Sequence, residues 1–97
     1  MPVQIRIYTI NPGSLQQFAR EWQEKIRPAR EKVGFQIVSA WMVAATDQFV
    51  WLMQYEGPNS WEEQDKRYFT SEERRAMDPD PARLIAKMEQ YFVEPAG

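Results

Sequence analysis

The chain has 97 residues, which is room for one domain, and we expect a single domain over residues 1–97. Its 12 basic and 14 acidic residues give a formal charge of −2, so no broad positive field favours a nucleic acid or an anionic membrane as partner. The absence of His and Cys excludes imidazole metal ligation and thiolate catalysis. We therefore expect no metal and no cofactor. Since no stretch resembles a signal peptide or a membrane span, we expect a cytoplasmic protein.

The first predicted strand is Val3–Ile10, in which apolar and polar residues alternate. The alternation places the aliphatic residues on one face and Arg6 and Tyr8 on the other. We expect Arg6 and Tyr8 to point away from the helices, where a guanidinium needs water, a partner subunit or a ligand. Arg6 can hold a carboxylate or an enolate, and Tyr8 can donate a hydrogen bond to a ligand oxygen. Both are candidate binding residues. The alternatives are an ion pair between subunits or a solvated position at the mouth of the barrel for Arg6, and an interface position for Tyr8.

A long amphipathic helix is predicted to follow this strand. Ser14 can cap it, and its apolar residues recur at helical spacing as far as Val33. Pro28 has no backbone N–H, so the helix should kink there or restart with Pro28 in its first turn. Gly34 should then end the helix in the left-handed conformation.

Two apolar stretches, 35–45 and 49–55, predict a β-hairpin. A four-residue loop places Trp51 toward the helices and Trp41 on the opposite face, whereas a three-residue loop places both tryptophans on one face. With the four-residue loop, Ala44 faces Phe49, and the set that shares the face of Trp51 is Val38, Ala40, Met42, Ala44, Phe49, Met53 and Tyr55.

Trp41 and Gln54 complete the candidate substrate-binding set, which is Arg6, Tyr8, Trp41 and Gln54. Trp41 can stack on an aromatic ligand, although a strand tryptophan more often packs in a core or an interface. Gln54 supplies a further polar group on the same face, and its alternative role is to satisfy a neighbouring side chain. No residue is assigned a catalytic role.

Two capping boxes, Ser60-Trp61-Glu62-Glu63 and Thr70-Ser71-Glu72-Glu73, each predict the start of a helix. The second helix should be short and end before the loop Asp78–Pro81. The prolines of this loop favour turn and cap roles for its two aspartates over metal binding. A further helix is predicted over 82–90, and a short edge strand over 91–94.

The order of these elements predicts the α+β class, with a ferredoxin-like four-stranded antiparallel sheet and helices on one face. The open sheet face would then carry an apolar patch that includes Tyr8, Trp41, Val43 and Leu52, and such patches usually mark an interface. Two sheets packed face to face in an isologous contact would form a dimeric α/β barrel. We therefore expect a homodimer that forms through the open sheet face.

A resemblance to a known family rests on these residues in this order: Arg6-Ile7-Tyr8-Thr9, Asn11-Pro12-Gly13, Phe18, Trp22, Pro28, Gly34-Phe35, Trp41 and Tyr55-Glu56. The pattern covers about the first two-thirds of the chain and resembles the NIPSNAP-like family of the dimeric α/β-barrel superfamily. The resemblance implies a homodimer with a small-molecule cavity near the sheet, in a family whose bacterial members mostly lack an assigned reaction. Related families include cofactor-independent monooxygenases of the antibiotic-biosynthesis type, haem-degrading oxygenases and polyketide cyclases. The last two typically rely on a His that this chain lacks.

Three functions are compatible with the sequence. The first is a dimeric binding protein, or an enzyme of unassigned reaction, in which Arg6 and Tyr8 anchor an oxygen of a small organic molecule. The second is a cofactor-independent monooxygenase, which would need a base that the sequence does not reveal. The third is a structural or interaction protein whose cavity is filled by its own aromatic residues.

Overall fold

A computed structural model describes all residues, 1–97, as one four-stranded antiparallel sheet covered on one face by helices. The strands are β1 (Val3–Ile10), β2 (Gln36–Val43), β3 (Gln48–Gln54) and β4 (Ile85–Val93). The helices are α1 (Leu15–Glu21), α2 (Arg27–Lys32), α3 (Trp61–Thr70) and α4 (Glu72–Arg75), with a π-helical turn at Trp22–Ile26 and 3₁₀ turns at Ala44–Thr46 and Pro81–Leu84. The strand order β2-β3-β1-β4 is the predicted ferredoxin-like α+β fold. No helix combines the length and the apolar character that crossing a membrane requires.

Strand β1 lies in the middle of the sheet, between β3 and β4, and has the predicted bounds. Every second side chain of β1 is buried under the helices, and these are Gln4, Arg6, Tyr8 and Ile10. The expectation that Arg6 and Tyr8 point away from the helices is therefore wrong. The aliphatic set of β1 faces the open side instead, because the helical layer supplies a carboxylate partner for the arginine, described below.

The hairpin of β2 and β3 has the predicted distribution of its tryptophans. The strands pair up to Val43 opposite Gln48, which leaves a four-residue loop. Met42 lies opposite Phe49, so the register is shifted by two residues from the predicted one, and the side chains from Ser39 to Val43 keep their predicted faces. Trp51 is completely buried under the helices, whereas Trp41 lies on the other face and is 52% exposed.

An irregularity in β2 changes one part of the predicted hairpin. The register shifts between Ile37 and Ser39, and this shift brings Ile37 opposite Met53. Val38 lies at the shift and is exposed. A β-bulge breaks the alternation of faces locally, which is why Val38 leaves the helix-facing set to which strict alternation assigns it.

The first helical segment restarts around Pro28, as predicted. The N–H of Arg27 donates to the carbonyl of Trp22, five residues earlier, and Pro28 lies in the first turn of α2. Gly34 ends the segment with φ of +94°, in the left-handed region that glycine adopts most easily. Ser14 precedes α1, but its side chain makes no capping hydrogen bond.

Two predicted caps in the second half of the chain, Ser60 and Asp80, are present, a third lies at Ser71 instead of Thr70, and one predicted helix is absent. The side chains of Ser60 and Ser71 accept hydrogen bonds from the third residue of α3 and α4, respectively. Asp80 caps only a 3₁₀ turn, and the prediction of a helix over 82–90 is wrong because β4 occupies most of this segment. Its alanine, lysine, methionine, glutamate and glutamine favour a helix locally, yet the segment pairs along the whole length of β1. Backbone pairing with a distant strand thus outweighs local propensity here.

The turn before β4 is tied to α1 by a bidentate ion pair. Arg83 donates from Nη1 and Nη2 to the two carboxylate oxygens of Glu21, at 2.7 and 2.9 Å. The hydrogen bonds from Arg83 lower the pKa of Glu21 from 4.5 to about 2. The folded-state pKa lies below that of the unfolded chain, so the pair stabilises the fold above about pH 4.5. That contribution is lost as the pH falls toward about 2.

We expect Glu21→Gln to lower stability near neutral pH and to have a much smaller effect near pH 2, because Glu21 is then protonated in the unfolded chain and about half protonated in the folded one. Urea unfolding of the wild type and the variant across this pH range measures the difference. A loss of stability that is the same at about pH 6 and about pH 2 would show that the carboxylate charge of Glu21 is not its source.

Candidate functional site

A cavity of about 40 Å³ lies between the sheet and the helices. Arg6 and Tyr8 of β1 and Trp51 of β3 line it from the sheet, and Arg30 of α2 and Tyr68 of α3 line it from the helices. These five side chains are each at most 4% exposed. The central strand and the helical layer therefore meet at a partly open cavity with both charged and aromatic walls.

Two buried arginines of this site share one carboxylate. Asp65 of α3 accepts a hydrogen bond at 2.6 Å from Nη1 of Arg30, and the same oxygen, Oδ1, lies 3.5 Å from Nη2 of Arg6. Arg6 also donates from Nε to the side-chain oxygen of Gln4 at 2.8 Å. Asp65 can neutralise one of the two guanidinium charges, so the cluster of Arg6, Arg30 and Asp65 keeps one positive charge in excess.

Aromatic rings surround the guanidinium of Arg30. Its Cζ lies 3.7 Å from the ring centre of Tyr68, 4.9 Å from that of Phe35 and 5.3 Å from that of Phe69. Burial, followed by the charge of Arg6, lowers the pKa of Arg30, and the hydrogen bond with Asp65 opposes this change. Arg30 stays charged near neutral pH because an arginine pKa starts far above that range. Burial also raises the pKa of Tyr68, which keeps its phenol neutral.

Two hydrogen-bond donors on the cavity walls have no partner. They are Nε of Arg30 and Nε1 of Trp51, and both atoms are buried. A buried donor without a partner costs about 1–3 kcal/mol, more for a charged group, and native proteins leave few of them. The indole nitrogens of Trp22 and Trp61 are also unpartnered, but neither residue lines this cavity. Two residues of the cavity wall, Arg30 and Trp51, thus each carry a buried donor for which the protein itself supplies no acceptor.

The four residues predicted to bind a substrate do not come together. Arg6 and Tyr8 both line the cavity. Trp41 lies on the open face of the sheet, on the edge strand β2. Gln54 donates from its side chain to the side-chain oxygen of Gln36 across the hairpin, at 2.5 Å. Trp41 and Gln54 thus lie apart from the cavity, as expected once Arg6 and Tyr8 face the helices.

Sequence reasoning missed Arg30 and Asp65, although both interrupt apolar helical patterns. Arg30 continues the four-residue spacing of Trp22 and Ile26, the side of the helix that packs on the sheet. Asp65 lies four residues after Trp61 and three before Tyr68, on the inner side of α3. A charged residue at such a position indicates a buried ion pair or a site, and here the two charges meet each other.

The fold and the cavity define the class of this protein as a ferredoxin-like α+β domain with a partly open cavity under its helices and an uncovered opposite sheet face. A family model described as NIPSNAP matches residues 3–97. The chain belongs to the NIPSNAP family, and the resemblance found in its sequence is confirmed. A search of the curated proteins found no match.

Solved structures with the same fold include two NIPSNAP proteins. An uncharacterised NIPSNAP domain protein from Burkholderia xenovorans is 19% identical with a TM-score of 0.84, over 99% of this chain and 95% of that chain. A NIPSNAP family protein from Agrobacterium tumefaciens is 18% identical with a TM-score of 0.85, over 98% of this chain and 92% of that chain. An antibiotic biosynthesis monooxygenase is 10% identical with a TM-score of 0.71, over 100% of both chains. At these identities the likeness shows the fold alone, and the monooxygenase is too distant to favour a shared reaction.

Proposed function

We propose that this NIPSNAP protein is a homodimer that binds a small organic molecule in the cavity between its sheet and its helices. The observation that supports this function is the convergence of apolar and charged side chains on one cavity. Eight of the eleven lining residues are hydrophobic, and the other three are Arg6, Arg30 and Arg74. Small-molecule sites commonly combine an apolar wall with a few polar groups that orient the ligand.

The size of the cavity suggests how such a molecule would lie. A volume of about 40 Å³ holds a small polar group rather than a ring. Phe69 and Met88 also line the cavity and are 46% and 48% exposed, so they form its mouth. Exposed side chains change rotamer within nanoseconds, which lets these two side chains make room for a larger group. The polar end of the ligand would lie inside, and the remainder would pass between Phe69 and Met88.

The open sheet face supports the dimer. Four strands of seven to nine residues give this face a projected area of about 500 Å². The largest apolar patch on a monomeric protein is often of this size, and such patches are often functional. Its apolar residues are Val3, Ile5, Ile7, Trp41, Val43, Val50, Leu52, Tyr91 and Val93. A second copy packed on this face by an isologous contact would bury both patches. Light scattering on the purified protein should accordingly give twice the mass of the single chain.

The other two functions considered from the sequence gain no support from the cavity. A cofactor-independent monooxygenase needs a base, and the lining residues include neither a carboxylate nor an imidazole. A purely structural protein would fill the cavity with its own aromatic residues, whereas about 40 Å³ stay open between them.

Binding can be followed by NMR through the indole N–H of Trp51, which is unpartnered and belongs to a cavity wall. We expect at least one of phenol, benzamide and benzoate to shift this resonance in a saturable way, because each compound brings an acceptor on a single ring. The indole resonance of Trp41, which lies on the open face, should not move and serves as the internal control. The resonances are assigned with single Trp→Phe variants. If none of the three compounds moves the Trp51 resonance, the proposed binding function is refuted.

A further inference from the structure

We infer that the bound molecule is a carboxylic acid in its anionic form, whose carboxylate lies between Arg6, Arg30 and Trp51. The inference rests on the binding function proposed above and adds the chemical class of the ligand. It is based on the charge balance around the cavity, on the unpartnered donors and on the space available.

The charges around the cavity do not balance within the protein. Three arginines line it, and two carboxylates pair with them: Asp65 with Arg6 and Arg30, and Asp80 with Arg74 at 3.1 Å. One positive charge is left without a counter-charge. Burying an uncompensated charge is costly, so the site favours a ligand that carries one negative charge. A neutral amide or alcohol of the same shape would leave the imbalance in place.

The donors match a carboxylate in number and kind. Arg30 and Trp51 each present one buried N–H without a partner. Nε of Arg6 donates to Gln4, which orients the guanidinium. Nη2 of Arg6 lies 3.5 Å from Oδ1 of Asp65, whereas Nη1 of Arg30 lies 2.6 Å from the same oxygen. Because its contact with Asp65 is the longer one, Arg6 is the arginine that an added anion would pair with more readily. The two oxygens of a carboxylate can accept about four hydrogen bonds between them. One small anion would therefore satisfy both orphan donors and the excess charge together.

The available space and charge favour a carboxylate over a phosphate. A phosphate group is larger and carries about −1.5 to −2 charges near neutral pH, whereas the site has an excess of one positive charge. The second charge of a phosphate would face the nearby carboxylate of Asp65 without a cation of its own. The cavity of about 40 Å³ suits the smaller group.

The test compares acetate, acetamide and inorganic phosphate at constant ionic strength in sodium chloride, with the Trp51 indole resonance as the readout. Acetate should bind saturably and at least about ten-fold more tightly than acetamide, its neutral isostere, because a hydrogen bond to a charged group is worth more than a neutral one. Phosphate should bind more weakly than acetate. An affinity for acetamide equal to that for acetate, or a tighter affinity for phosphate, would overturn the inference.

Three variants assign the carboxylate to this site, with the backbone amide resonance of Tyr8 as the readout. Arg30→Gln removes one charge from the cavity and should weaken acetate binding by about ten-fold or more. Trp51→Phe keeps the charge of the cavity and nearly the shape of the side chain but removes one unpartnered donor, so it should weaken acetate binding several-fold. If Arg30→Gln does not fold, Trp51→Phe alone tests whether the carboxylate binds at this site. Arg20→Gln makes the same change in net charge on the exposed side of α1 and should leave the affinity unchanged. Wild-type affinity in Trp51→Phe, or an equal loss in Arg20→Gln, would overturn the inference.

The experiments separate the two proposals. If the single-ring compounds bind but acetate is no better than acetamide, the binding function stands and the carboxylate assignment fails. If no single-ring compound moves the Trp51 resonance, the binding function itself fails.

Discussion

Asp65→Asn is expected to lower the free energy of unfolding by about 3 kcal/mol. The substitution keeps the shape of the side chain but removes the only carboxylate that contacts Arg6 and Arg30. Both guanidinium groups are at most 3% exposed, so neither can be solvated in place of its lost partner. Breaking a buried pair by removing one partner costs about 3–5 kcal/mol, and we take the lower end because Asp65 itself is 24% exposed and partly solvated.

Urea unfolding at a single protein concentration measures this loss. Glu94→Gln is the matched control, since it also converts one carboxylate to an amide but on an exposed residue near the end of the chain. The control should change stability by less than about 0.5 kcal/mol. A loss in Asp65→Asn as small as that of the control would mean that Arg6 and Arg30 do not depend on this carboxylate. Addition of acetate should restore part of the lost stability, because a bound anion stabilises the folded state by mass action.

Trp41→Glu is expected to weaken the proposed dimer by at least about 100-fold and to leave the monomer folded. Trp41 is 52% exposed in the single chain, so its replacement removes little packing within the monomer. In an isologous dimer the substitution occurs twice, and each new carboxylate is desolvated when the two sheets pack together. Desolvation of a charge costs several kcal/mol, and about 1.4 kcal/mol corresponds to each ten-fold change in affinity.

Sedimentation at micromolar concentrations distinguishes monomer from dimer for this variant. Met42→Glu is the control, because Met42 is the next residue on β2, is 46% exposed and points to the helix side. It should stay dimeric. A dimer that survives Trp41→Glu would exclude the open face as the interface. Since Trp41 does not line the cavity, the variant should still show the ligand response of the Trp51 resonance, so the dimer and the binding site are tested separately.

Local patterns along the sequence determine most of the elements and their ends. Strand β1 has the predicted bounds because strict alternation is a strong signal. Ser60 caps α3 as predicted, the cap of α4 is Ser71, one residue after the predicted Thr70, and Gly34 ends a helix in the left-handed conformation, since each of these features depends only on neighbouring backbone groups. Between the bulge and the loop, the hairpin keeps its faces even with a shifted register, because a shift of two residues preserves the alternation.

The tertiary structure alone decides which face of β1 is covered and where the site lies. Alternation divides a strand into two sets of side chains but does not show which set faces the helices. Arg6 faces the helices because Asp65, 59 residues away in the sequence, supplies its counter-charge. Strand β4 likewise exists because its backbone satisfies the free edge of β1, against the helical preference of its own residues. The sequence by itself thus determines most of the elements and their ends, and the family, since these follow from local patterns. The cavity arises from partners far apart in the chain, whose charges and backbone groups meet only in the folded protein.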